Sequence, residues 1–222
     1  MRAPFAPLPL FLFIALLVVL VTFVQIGALT LAFDKLGLSA EYGFLLLFVS
    51  LFGSAINLPL FTVSAQAPPA EAVPVALRGL LRHMAREFRG RTLIAINVGG
   101  GLIPVLFSIY LIGRGELSPL TVGAAVGIVT LVSYLISSPL PGIGIGMPIF
   151  VAPVAAALTA LLLGPEHSAP LAYICGTLGV LIGADLLRLN DIRRMGTPLA
   201  SIGGAGTFDG IFMTGIVAVL LA

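Results

Sequence analysis

The chain has 222 residues, of which 59% are apolar and 9% charged, and a formal net charge of +2. A soluble domain carries roughly 25% charged residues, so a water-facing surface cannot be built from this composition, and lipid must be the main solvent. The slight positive balance carries no nucleic-acid signature, because the basic residues are not interleaved with aromatics, and a lone cysteine, Cys175, rules out an internal disulfide or a multi-cysteine metal site.

A membrane crossing needs roughly 20 apolar residues. In chain order the first such stretch is 8–33, preceded by Arg2 in the manner of a signal peptide but too long for a cleavable apolar region, so it reads as an uncleaved first crossing. Asp34, Lys35 and Glu41 mark a polar turn before the second, 43–65. A long polar loop, 66–91, separates it from the third, 92–113, which Arg114-Gly115-Glu116 closes. The fourth is 119–137 and the fifth 142–164, joined through Ser138-Pro139-Leu140-Pro141. Pro165-Glu166-His167-Ser168 turns the chain into the sixth, 171–189, and the seventh, 199–222, opens on a glycine-rich stretch. The expected fold is therefore all-α, a single integral membrane domain over 1–222 with about seven crossings, in which the 26 glycines and 16 prolines are tolerated because neighbouring helices re-satisfy the backbone.

The cationic residues set the orientation. With residue 1 inside, the inner side carries nine arginines (Arg2, Arg78, Arg82, Arg86, Arg89, Arg91, Arg188, Arg193, Arg194) against Lys35 and Arg114 outside. This places the chain in the cell membrane as a multi-pass protein, its last crossing ending outside. Within the loop, 75–91 sets Val75, Leu77, Leu80, Leu81, Met84 and Phe88 among arginines, either an amphipathic helix on the anionic leaflet or an ordinary basic topogenic loop. His83 belongs to that loop and His167 to an outer turn far in depth from any other candidate ligand, so no metal cluster and no cofactor site is expected.

Two segments resemble each other. Ala95-Ile96-Asn97-Val98-Gly99-Gly100-Gly101 leads to Phe107, and Ala200-Ser201-Ile202-Gly203-Gly204-Ala205-Gly206 leads to Phe212 at the same offset. The crossings before them end in Gly53-Ser54-Ala55-Ile56-Asn57-Leu58 and Gly183-Ala184-Asp185-Leu186. Related hairpins of this kind are common in transporters. Here they would gather Asn57, Asn97, Asp185 and Asp209 toward the inner half of the membrane.

Asp185 and Asp209 are the acids within the expected crossings, where a charge costs roughly 2.5–3.5 kcal/mol on insertion scales. Arg188, three residues on, offers Asp185 an ion pair on the same helical face. Asp209 follows Gly203-Gly204-Ala205-Gly206; if these unwind, Thr207 caps the helix and Asp209 falls in its first turn, where backbone N–H groups favour a carboxylate. Two carboxyls brought together share a proton and either activate water or relay protons. Asn57 and Asn97 would support them by hydrogen bonding. Elsewhere, Gly142-Ile143-Gly144-Ile145-Gly146-Met147-Pro148 reads as a close helix-packing seam in preference to a broken helix. Gly99-Gly100-Gly101 lacks the Lys-Ser/Thr of a phosphate loop, and no serine-hydrolase or zincin motif occurs.

Paired aspartates on consecutive crossings, the second after Gly204-Ala205-Gly206, resemble the GxGD intramembrane aspartyl proteases (presenilin and signal peptide peptidase relatives). That resemblance implies catalytic roles for Asp185 and Asp209. The chain departs from the pattern at Ala184, where the family has Tyr, in the inserted Thr207-Phe208, and in lacking the Pro-Ala-Leu motif. Ala184-Asp185-Leu186-Leu187 followed by Gly203-Gly204-Ala205-Gly206-Thr207-Phe208-Asp209-Gly210-Ile211-Phe212 is similar to the prokaryotic membrane family named domain of unknown function 1614, which implies an architecture and no activity. Three readings stand: an aspartyl-protease-like hydrolase acting on a transmembrane peptide, a proton- or cation-coupled transporter of a small solute, and a non-enzymatic scaffold. Beyond the lipid bilayer, the oligomeric state is not legible.

Overall fold

The structure is a computed structural model that describes residues 7–66, 90–140, 144–194, 196–204 and 210–222, with side chains from residue 16 onward. The described chain is mostly helical. Helix α1 (Pro7–Lys35) and α2 (Ala40–Gly53) lead into strand β1 (Asn57–Ser64). Strand β2 (Arg91–Asn97) runs through a π-turn (Val98–Leu102) into α3 (Ile103–Gly113), followed by α4 (Pro119–Ile136). A small hairpin, β3 (Ser138–Leu140) and β4 (Gly144–Gly146), precedes α5 (Val151–Leu163). A 3₁₀ turn (Pro165–His167) opens α6 (Ser168–Val180), which continues as a second π-turn (Leu181–Leu186). Then come α7 (Leu189–Ile192), β5 (Leu199–Ile202) and α8 (Gly210–Leu221).

Three helical stretches, Leu16–Lys35, Pro119–Ile136 and Pro165–Leu186, are long and apolar enough to cross a bilayer. Four other segments expected to cross hold shorter apolar helices, within Ala40–Gly53, Val98–Gly113, Val151–Leu163 and Ile211–Leu221. Each of these segments also holds a strand. At 43–65 the helix stops at Gly53, and Pro59, which has no N–H to donate and whose ring would strike the Ala55 carbonyl, keeps it from resuming. At 92–113 the β-branched Thr92, Ile94 and Ile96 favour extended chain until Asn97. Within the glycine seam expected at 142–148, Gly144–Gly146 form β4, paired antiparallel with β3 from Ser138↔Gly146 to Leu140↔Gly144.

The larger sheet has the order β1-β2-β5. β1 and β2 are antiparallel, from Asn57↔Asn97 to Ser64↔Arg91, with a bulge between Pro59 and Phe61. β2 and β5 are parallel, from Leu93↔Leu199 to Ile96↔Ile202. The two segments that resemble each other in sequence thus lie side by side, each a strand, a glycine run and a helix, and Phe107 and Phe212 are both buried in one core. The likeness fails in the preceding arm. The first arm is a strand, β1, whereas the second stays helical through the π-turn to Leu186.

Helix α6 is the hub. Leu171, Ala172, Tyr173, Ile174 and Cys175 are fully buried, and the Tyr173 ring meets Phe107 edge-on with centroids 4.9 Å apart. A second apolar cluster joins Ile94 and Ile202 of the sheet to Val180, Leu181, Ala184, Ile192 and Ile211. Helix α1 is peripheral. Its flank from Leu16 to Ile26 is exposed, while Ala32, Phe33 and Leu36 are buried and Lys35 Nζ donates to the Val219 carbonyl at 3.3 Å.

Candidate functional site

Four chain breaks converge at one end of the sheet: α2 into β1, β2 into its π-turn, the π-turn after α6, and β5 into its glycines. Asn97 holds the first two together. It is fully buried, and its Oδ1 accepts from Gly100 N–H at 2.8 Å, which caps the π-turn. Its Nδ2 donates to the Ser54 carbonyl at 2.7 Å and to Asn57 Oδ1 at 3.0 Å. Asn57 Oδ1 also accepts from the Ser201 hydroxyl at 2.6 Å, which ties β1 to β5 across the intervening strand. Ser50 Oγ donates to the Gly99 carbonyl at 2.6 Å. This close approach requires glycine: a Cβ at Gly99 would collide with the Ser50 carbonyl and the Ser54 N–H.

Asp185 lies in the second π-turn and is half-buried. Its Oδ2 accepts from Gly203 N–H at 2.7 Å, and its other oxygen has no protein partner among the described residues. The donor is presented by a left-handed glycine: Gly203 has φ +84° and packs against the backbone of Gly100 and Gly101, where a Cβ would clash. Gly204, at φ +96°, continues the non-helical entry, and α8 is described from Gly210. β5 therefore links both parts of the site, Ser201 reaching Asn57 and Gly203 reaching Asp185.

The expected ion pair between Asp185 and Arg188 does not form. Arg188 Nη1 pairs with Asp191 at 3.1 Å, its Nη2 donates to the carbonyls of Tyr134 (2.6 Å) and Ser137 (2.8 Å), and its guanidinium lies 4.4 Å from the Tyr134 ring centroid. A cation satisfying the last carbonyls of α4 is the more favourable arrangement, because those groups have no intrahelical partner. Asp185 is left without a counter-charge among the described residues.

Asn57, Asn97, Gly203 and Asp185 thus come together, and Gly204 adjoins them. Gly206, Thr207 and Asp209 lie outside the described residues, as does the amphipathic stretch expected at 75–91, of which 90–91 alone are described. Ser50, Ser54 and Ser201 belong to the site and escaped the sequence reading. Their signal was the strand character of the flanking segments, Pro59 above all, which takes hydroxyls from a helix flank to a sheet end.

A second polar locus lies among Asp34, Lys35, Arg114, Glu116, Glu166 and His167, which line a cavity of about 270 Å³ between the helix ends. His167 therefore neighbours other ionisable groups, contrary to its expected isolation. Arg114 is held by Glu116 at 2.8 Å and donates to the Leu36 carbonyl at 2.9 Å. Among the described residues no three His, Cys, Asp or Glu side chains gather as a metal-ligand set.

Fold and site together define a mostly helical membrane protein whose interrupted helices are stitched by a three-stranded sheet. The profile of a family described as "Protein of unknown function (DUF1614)" matches residues 51–221, and the chain belongs to that family. No curated protein and no solved structure matches it. The matched region contains the whole sheet and the polar site except Ser50, and α1 lies outside it.

Proposed function

We propose that this chain is a seven-crossing protein of the cell membrane, with 66–91 and 187–198 on the cytoplasmic side, and that it is an aspartyl-type intramembrane hydrolase with Asp185 and Asp209 as its working pair. One observation carries the reading. Asp185 is fixed through one oxygen by Gly203 N–H, and among the described residues it has no cation beside it and no partner for its other oxygen, which can take a water or a proton. A purely structural acid at membrane depth is normally paired. Asp209 follows Gly203 by six residues in the sequence, and Ile211, two residues further on, packs in the same cluster as Ala184.

In such a pair one carboxylate takes a proton from water as the oxygen attacks a peptide carbonyl. The other carboxyl gives its proton to the carbonyl oxygen. Collapse of the diol breaks the C–N bond and returns a proton to the leaving amine. The substrate is a transmembrane peptide, and no cofactor is required. A proton- or cation-coupled transporter is the second reading, favoured by the two π-turns and the strand–helix breaks, since interrupted helices build transporter sites.

The test uses the full chain in liposomes with a labelled single-span peptide. Asn at position 185 still accepts from Gly203 N–H but cannot act as a base, so Asp185→Asn keeps the fold and lowers cleavage by about 100-fold or more; Asp209→Asn does the same. Cleavage unchanged in either variant refutes the hydrolase. Absence of cleavage in the parent chain, with proton-coupled uptake lost in both variants, selects the transporter.

A further inference from the structure

The outer edge of β1 is exposed in a way the rest of the sheet is not. β1 pairs with β2 on one side, and among the described residues nothing hydrogen-bonds the other. About half of its eight residues direct their N–H and C=O that way. Under the topology proposed above the crossing starts at 43, so residues 43–56, the rest of α2 and the turn that follows it, cover about 21 Å of a hydrocarbon layer about 30 Å thick. The remaining distance is spanned by about three strand residues. The first half of β1 then lies in lipid, and the second half reaches the headgroups. The side chains agree: Leu58, Leu60 and Phe61 are 42%, 52% and 49% exposed, and Thr62 and Ser64 follow. In hydrocarbon no water satisfies an open edge, and such an edge is a template for another strand.

Charge narrows the occupant. Arg91 stands opposite Ser64 in the ladder, and Gln66 N–H donates to the Arg193 carbonyl at 2.8 Å, so Arg91, Arg193 and Arg194 cluster where β1 ends. All three are exposed and none has an acidic partner among the described residues. A second copy of the chain set edge to edge would bring these cations against their own counterparts. An apolar segment followed by acidic residues satisfies both the edge and the arginines.

We propose that the outer edge of β1 docks an unwound apolar segment of a membrane-spanning peptide by strand addition, and that Arg91, Arg193 and Arg194 hold acidic residues following that segment. The proposal uses the topology given above but needs neither aspartate to be catalytic, and its readout is binding without cleavage. The full chain, carrying a benzophenone photo-crosslinker at Phe61 or at the lipid-exposed control Leu135 of α4, is placed in nanodiscs with a synthetic peptide of about 20 apolar residues ending in Asp and Glu. Matched peptides end in Lys, or carry N-methyl groups on one strand edge or on the other. Adducts are expected from Phe61 and not from Leu135, about tenfold more with the acidic tail than with the Lys tail. The joint R91Q, R193Q and R194Q change should erase that preference. One N-methyl pattern should abolish the adduct and the other should not. No adduct, equal adducts from Leu135, equal yields with both tails, tolerance of both N-methyl patterns, or crosslinks between two copies of the chain would each overturn the proposal.

Discussion

Asn97 is the side chain on which the breaks at the sheet's end depend, and its replacement gives a sharp test. Asn97→Ala removes three hydrogen bonds, to Ser54, Asn57 and Gly100. Each is worth about 0.5–1.5 kcal/mol net, and the buried Gly100 N–H loses its cap, which alone costs about 1 kcal/mol. The sum is a loss of about 3 kcal/mol. Asn97→Asp keeps the shape and still accepts from Gly100, but it sets an acceptor against the Ser54 carbonyl and Asn57 Oδ1 and buries a carboxylate. It should cost more than Ala, although it is the smaller change in volume. For a chain of this size about 3 kcal/mol corresponds to a fall of roughly 6–12 °C in the unfolding midpoint, read by size-exclusion retention after heating in detergent. If Asp at position 97 matches the parent chain, or is milder than Ala, the hydrogen-bond directions assigned to Asn97 are wrong.

Gly203→Ala should be at least as damaging, because it combines a left-handed φ with a backbone clash against Gly101; a loss of about 3 kcal/mol or more in the same assay is expected, while Gly127→Ala, with open space around it, should change stability by less than about 1 kcal/mol. Arg188→Gln removes the contacts to Tyr134, Ser137 and Asp191 and should destabilise by about 2 kcal/mol, whereas a pairing with Asp185 would instead make the Arg188→Gln and Asp185→Asn effects strongly non-additive in a double-mutant cycle. Cys175, fully buried on the hub helix, should resist a maleimide in the folded protein and react after denaturation, as mass spectrometry would show; rapid labelling of the folded chain would contradict the central placement of α6.

Much of the helical layout was legible because it rests on stretches of apolar length, and 119–137 and 171–189 fall on α4 and on α6 with its π-turn. The sheet was not legible. A run such as Asn57-Leu58-Pro59-Leu60-Phe61 is apolar enough to pass as helix, and only Pro59, with the β-branched residues of β2, argued otherwise. Asp185, Asn57, Asn97 and the glycines stood out because polar and glycine residues are conspicuous in an apolar context. The partners of Asp185 were not foreseeable from spacing: three residues of separation placed Arg188 on its face, yet the carbonyls at the end of α4, some fifty residues away, competed better. Ser201 was hidden for a related reason, since its bond to Asn57 spans 144 residues and exists only once β5 lies beside β2.

The attachment of α1 bears on how the molecule is made. Its firm hold is at its last turns, where Phe33 and Leu36 are buried and Lys35 meets a carbonyl 184 residues downstream. At synthesis rates of about 5–20 residues per second, on the order of 10–40 s pass before that carbonyl exists. During biogenesis α1 can pack on α2 at once, Phe33 meeting Phe44 with ring centroids 5.5 Å apart, whereas its tie to α8 must wait until that helix has been made, so α1 is held first by its neighbour and fastened to the rest of the bundle only late.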